Sequence, residues 1–250
     1  FIRSQQYKCS TILCRSSNYD KMIYVTNEAS LSLDQCVLEY SHGEFIRVDN
    51  AYSSLSLTNC TINQNHSSSD DPAVYVNPAD TLHIAGSTIT NIPSNYGVRI
   101  YGSTEAQLLN NTFDSCVDGA ILVANPAVVD VHDSNLLVSN EYGVYSYSSI
   151  PVNATGNYWG HPSGPGPVGP GEGSLVTANV DYGGWAIEEI PVETQDGPTI
   201  TSTANTLAVV GQAYEYDADG CASASGTGSI TWSKVLGPDG LSIDAQSGCI

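Results

Sequence analysis

The chain has 250 residues, enough for a sizeable core and for more than one domain. Asp and Glu number 26 against 7 Lys and Arg, a formal charge of −19, which argues against nucleic acid and anionic membrane surfaces because too few cations exist to neutralise phosphate. Only 13% of residues are charged, so Ser, Thr, Asn and Tyr fill the polar positions, and no apolar run is long enough to span a membrane.

Phe1 opens inside repeat-like sequence, without an initiator Met or signal peptide, and the chain is therefore expected to be a piece of a longer one. A short apolar phrase then recurs: Leu33–Cys36–Leu38, Leu57–Cys60–Ile62, Ile84–Ser87–Ile89, Leu108–Asn111–Phe113, Val131–Ser134–Leu136 and Ala154–Asn157–Trp159. The starts are 24, 27, 24, 23 and 23 residues apart, the period of a stacked repeat whose units bury one another's apolar edges. The longer spacing carries extra residues around Ser67–Pro72, read as a surface loop. Each phrase is followed by a second strand with period-2 alternation, such as Ala73–Val76, Gly97–Ile100, Gly119–Leu122 and Gly143–Ser146. Asn, Asp, Ser and Gly clusters between strands supply the turns.

Two strands per unit and no helical periodicity predict parallel stacking, one unit per coil of a parallel β-helix. The middle position of the phrase (Cys36, Cys60, Ser87, Asn111, Ser134, Asn157) predicts an interior ladder in which amides bond to neighbouring rungs. Cys36 and Cys60 are expected as stacked buried thiols, with a disulfide between rungs as the alternative. Cys221 and Cys249 stand where they can pair.

These repeats resemble right-handed parallel β-helix proteins of secreted and surface type, a likeness covering residues 1–185. The run Asn157-Tyr158-Trp159-Gly160, followed by Pro162-Ser163-Gly164-Pro165, is similar to the phrase that closes the last coils in that group. Residues 186–198 read as an acidic, Pro-containing linker. From residue 199 to 250 the strands around Tyr214-Glu215-Tyr216 and the ending Ser247-Gly248-Cys249-Ile250 resemble cadherin-like or dystroglycan-type immunoglobulin-like modules. The resemblance implies an all-β chain: a β-helix followed by a truncated immunoglobulin-like sandwich, with further surface modules beyond. It also implies Asp217 and Asp219 as candidate Ca2+ ligands, because that ion takes carboxylate oxygens; a turn at Asp219-Gly220 is the alternative for one of them. Ca2+ is the one cofactor suggested.

Two outward faces hold chemistry-bearing residues. One aligns Tyr75, Arg99, Ile121 and Tyr145 in one column, and Asn77, Tyr101, Val123 and Tyr147 in the next. Aromatic rings stack on sugar faces while their hydroxyls bond sugar oxygens, so Tyr75, Arg99, Tyr101, Tyr145 and Tyr147 are the expected ligand-binding residues, for a polysaccharide or glycan. The alternative is that Tyr simply suits a half-exposed strand. The other face aligns His83, Gln107 and Asp130, with His132 nearby; no second acid accompanies Asp130 as glycoside hydrolysis needs, and catalytic residues are left unassigned. Gly164–Gly169 fits a G-x-G-x-x-G pattern, but its prolines and missing helix exclude the dinucleotide fingerprint. The expectation is an extracellular or cell-surface protein with a binding, adhesion or display role; a carbohydrate-active hydrolase or lyase and a structural spacer are the alternatives.

Overall fold

A computed structural model describes residues 5–8, 21–39, 41, 43–63, 71–124, 126–137, 139–191, 199–200, 221–225, 243–244 and 246–249. The chain divides into two compact units, Phe1–Thr194 and Gln195–Ile250.

The first unit is a three-sided parallel β-solenoid. Sheet 1 stacks Gln5–Lys8, Ser30–Asp34, Ser54–Thr58, Thr81–Ala85, Glu105–Leu109, Val128–His132, Val152–Asn153 and Val180–Asp181 in chain order. Sheet 2 stacks Val37–Glu39, Thr61–Asn63, Thr88–Ile92, Thr112–Cys116 and Asn135–Leu136. Sheet 3 stacks Lys21–Val25, Glu44–Val48, Val74–Val76, Tyr96–Ile100, Gly119–Val123 and Tyr142–Ser146, then closes with Gly173–Val176 and Pro165–Pro167. Every pairing in the three sheets is parallel, and most are in register along the strand.

The sequence phrase proves to be two strands rather than one. Leu33 is the last inward residue of a sheet 1 strand and Leu38 sits in a sheet 2 strand, both buried, with a corner at Gln35 between them. The corner is made by a residue in the left-handed region at the same place in each coil: Gln35, Asn59, Gly86, Asn110, Asp133 and Gly156, with φ between 51° and 73°. Asn, Asp and Gly tolerate this conformation best, which is why the turn residues recur there. The corner turns the next residue inward, onto the ladder of Cys36, Cys60, Ser87, Asn111, Ser134 and Asn157, all buried.

That ladder is hydrogen-bonded from rung to rung. Cys60 N–H donates to Ser87 Oγ, Ser87 N–H to Asn111 Oδ1, Asn111 N–H to Ser134 Oγ and Ser134 N–H to Asn157 Oδ1, at 2.8–3.1 Å. The amides also return donors to backbone, Asn111 to Ile84 O and Asn157 to Val131 O and Ala154 O. Backbone groups that the corner takes out of the sheet ladders are thereby satisfied, as buried polar groups must be. A second ladder that the phrase does not announce runs at the next corner, where Cys116 N–H donates to Asn140 Oδ1 and Asn140 Nδ2 to Phe113 O.

Between the sheets the core is continuous and aliphatic, from Leu31 and Leu33 through Ile84, Leu108 and Val131 to Val152. Trp159 fills its C-terminal end with no exposed surface. Gly143 makes room for it, since a Cβ there would lie 2.7 Å from the indole. The G-x-G-x-x-G stretch lies in this closing region and holds the Pro165–Pro167 strand, in keeping with a structural role. Gly164, at φ +86°, lies under the Trp185 ring, whose Nε1 donates to Pro162 O at 3.2 Å.

Cys36 is disulfide-bonded and Cys60 is a free buried thiol, so the two neither pair with each other nor form a matched pair of thiols. In the second unit Cys221 and Cys249 form a disulfide, as their placement allowed. Thr199–Ile200 pairs antiparallel with Ala224–Ser225 there, and Asp244 accepts hydrogen bonds from the backbone of Gln246 and Ser247. Asp217, Asp219 and most of the residues assigned to an immunoglobulin-like module lie outside the described residues. Among the described residues no helix is long and apolar enough to cross a membrane, and no group of three or more His, Cys, Asp or Glu could hold a metal ion.

Candidate functional site

The outward side of sheet 3 carries most of the aromatic surface. Strand register places Tyr24, Arg47, Tyr75, Arg99, Leu122 and Tyr145 in one column. Backbone bonds from Tyr101 to Val76, Ala124 to Ile100 and Tyr147 to Val123 put Tyr101, Ala124 and Tyr147 in the next. The sequence spacing assigned Ile121 and Val123 to these columns, one residue out of step. Both point into the core with no exposed surface, and the slip arises because Gly119 pairs with Tyr96 and Tyr142. A one-residue shift exchanges the two faces of a strand.

This register creates a shelf. The coil between Tyr101 and Tyr147 presents Gly119, Leu122 and Ala124, none larger than leucine, so tyrosines from the coils on either side reach over it. Tyr96 and Tyr145 approach to 6.3 Å between ring centroids, and Tyr101 and Tyr147 to 6.5 Å. Two rungs of a sheet are about 9.6 Å apart, so the rings lean toward each other. The set continues through Tyr142–Tyr145 at 4.8 Å and Tyr145–Tyr147 at 6.3 Å, and Tyr75 stacks on Tyr101 at 5.5 Å. All these separations fall in or near the range of favourable aromatic pairs. A Cβ on Gly119 would lie 2.6 Å from the Tyr96 ring and 2.8 Å from Tyr142 O, so the shelf depends on that glycine.

The five residues expected from sequence therefore lie on one surface, joined by Tyr96 and Tyr142. Those two belong to the column that starts each strand, and the phrase-based spacing overlooked them. Burial pushes the Tyr96 hydroxyl well above the usual phenol range, with Asp118 adding to the effect. Burial also raises Tyr147, to about 12, helped by hydrogen bonding to Tyr101 and partly offset by Arg99. Both phenols thus remain neutral donors at physiological pH.

On sheet 1, His83, Gln107 and Asp130 share a column as the spacing predicts, and it continues through Asn153 to Asp181. Asn153 Nδ2 donates to Asp130 Oδ1 at 2.7 Å. His132 Nε2 lies 3.9 Å from Asp130 Oδ2, while its Nδ1 meets Asp133 Oδ2 at 2.8 Å. Asp181 is the acid that the sequence left unseen, separated from Asp130 by Asn153. A shallow groove lies over this face, lined by Thr81, His83, Glu105, Gln107, Val128 and Asp130. Asp114 lies on sheet 2, away from this column.

No curated protein and no solved structure matches the chain. Residues 3–158 match the family described as "Right handed beta helix region", the span that holds the corner ladder, most of the stacked strands and the tyrosine shelf. The chain belongs to the right-handed beta helix family.

Proposed function

We propose that this protein is an extracellular or cell-surface glycan-binding module in which the tyrosine shelf of sheet 3 holds the saccharide. The observation that carries this reading is the continuity of the rings: Tyr75, Tyr96, Tyr101, Tyr142, Tyr145 and Tyr147 form an unbroken chain of ring contacts across several coils. A continuous aromatic surface with hydroxyl donors suits stacking on sugar rings and bonding to their oxygens. Tyr147 is about half exposed and Tyr75, Tyr101 and Tyr145 are partly so, which leaves ring surface free for a ligand. Disulfide bonding at Cys36 and at Cys221–Cys249 fits an oxidising compartment. The second unit is read as an immunoglobulin-like spacer that displays the solenoid.

A carbohydrate-active enzyme is the second reading, favoured by Glu105, His83 and Asp130 around the sheet 1 groove. Screening the protein on a polysaccharide panel for retention, and for new reducing or unsaturated ends, tests both. Retention without new ends across pH and Ca2+ is expected. New ends abolished by Asp130→Asn would favour the enzyme, and neither signal would leave a structural spacer.

A further inference from the structure

Arg47 and Arg99 are the only Lys or Arg residues between positions 22 and 233. The fold places both in one column of the tyrosine face, with Tyr75 between them. Their surroundings differ. Arg47 is neutralised twice, Nε meeting Asp49 Oδ2 at 2.6 Å and Nη1 meeting Glu44 Oε1 at 2.8 Å, and its guanidinium lies 4.2 Å from the Tyr75 ring centroid. Arg99 has no carboxylate partner among the described residues. Its buried Nε has no hydrogen-bond acceptor, and its guanidinium carbon sits 5.7 Å from the Tyr96 ring centroid.

A cation over an aromatic ring is held electrostatically, but the ring does not satisfy five N–H donors arranged as a planar fork. That fork matches the two oxygens of a carboxylate or a sulfate ester. In a chain of charge −19, where Arg47 has two acidic partners, one guanidinium left without an acid is a ready anion site beside the shelf. Resting on the glycan-platform reading above, we infer that Arg99 anchors a single oxyanion substituent, carboxylate or sulfate, on an otherwise neutral glycan. The sugar ring lies on Tyr101 and Tyr145 while the oxyanion takes the Arg99 fork. A polymer charged at every sugar is disfavoured, because Glu44 and Asp49 already occupy the neighbouring Arg47 and the surrounding field is negative.

Affinity electrophoresis and calorimetry against matched oligosaccharides test this. Xylan, galactan and agarose fragments are used in neutral form, with one uronate, and with one sulfate, alongside polygalacturonate. On a retained backbone the singly charged form should bind roughly tenfold tighter than the neutral form, and the advantage should shrink in high salt. The uronate and sulfate arms identify which oxyanion is taken. In Arg99→Gln the charged-to-neutral ratio should fall to about one, and Arg99→Lys, which keeps charge without the fork, should lie between. The wild-type ratio and its salt dependence stand as evidence even if a variant fails to fold. Equal binding of neutral and charged forms, tighter binding of polygalacturonate, or a ratio unchanged in a folded Arg99→Gln overturns the inference while leaving the platform in place. Failure of every backbone in every form overturns both.

Discussion

Ser134 donates its backbone N–H to Asn157 Oδ1 one rung away, at 2.8 Å. Asn157 in turn donates to Val131 O and Ala154 O at 2.7 and 2.8 Å, so a single amide at zero exposure satisfies three backbone groups. Asn157→Ala removes all three partners. An unsatisfied buried polar group costs about 1–3 kcal/mol, so the substitution should cost at least ~3 kcal/mol in equilibrium denaturation. Tyr52→Ala, at a site 73% exposed, should be nearly neutral. A small effect of Asn157→Ala would mean that the ladder is dispensable.

The closing coil makes a steric prediction. Gly143→Ala would place Cβ 2.6 Å from Ser174 Oγ and 2.7 Å from the Trp159 ring. Trp159 is fully buried and packed on all sides, so it has little room to give. Overpacking of this kind costs roughly 1–3 kcal/mol, and a lowered denaturation midpoint with unchanged slope is the expected result.

Buried thiols should be inert. Cys60 and Cys116 are free, and burial raises both thiol pKa values, suppressing the thiolate that reacts. Mass mapping after exposure to a thiol reagent at neutral pH should find neither labelled in the folded protein and both labelled after unfolding. Labelling of Cys60 or Cys116 under native conditions would contradict the packing of the first or the second corner, respectively.

Alkaline pH should destabilise the shelf. Tyr147 is raised to about 12 and Tyr96 is raised as well, whereas an unfolded tyrosine titrates near 10. Above about pH 10 the unfolded chain loses protons that the folded chain retains, so stability is intact below that pH and falls as pH rises toward 12. Ultraviolet titration should show a late phenolate component that Tyr147→Phe reduces. A single component near pH 10 would contradict the packing of the Tyr96 hydroxyl and the contact of Tyr147 with Tyr101.

Much of the solenoid was legible because its determinants are local and periodic. The Cys36-to-Asn157 position recurs at nearly constant spacing, and every copy but the first, which follows Gln35, comes after an Asn, Asp or Gly suited to the left-handed corner. The sequence did not show that the phrase bends there into two sheets, because Leu33 and Leu38 are buried whether the chain runs straight or turns. The faces were harder to read. Ile121, Leu122 and Val123 are all apolar, so hydrophobicity could not say which one points outward; the pairing of Gly119 with Tyr96 and Tyr142 decided it. The approach of Tyr96 to Tyr145 depends on small side chains in the intervening coil, a relation between three repeats that no single repeat displays.

Glycan binding by the tyrosine shelf is open to direct measurement. Its most direct test is calorimetric titration of the full chain, and of Tyr101→Ala and Tyr145→Ala, with a polysaccharide retained in the panel. Circular dichroism and melting would establish that all three are equally folded. Truncating a central aromatic anchor typically weakens binding by tenfold or more, so each variant should lose at least roughly that factor while its melting changes little. Wild-type affinity in both variants, or no retention of any polysaccharide by the parent chain, would contradict it.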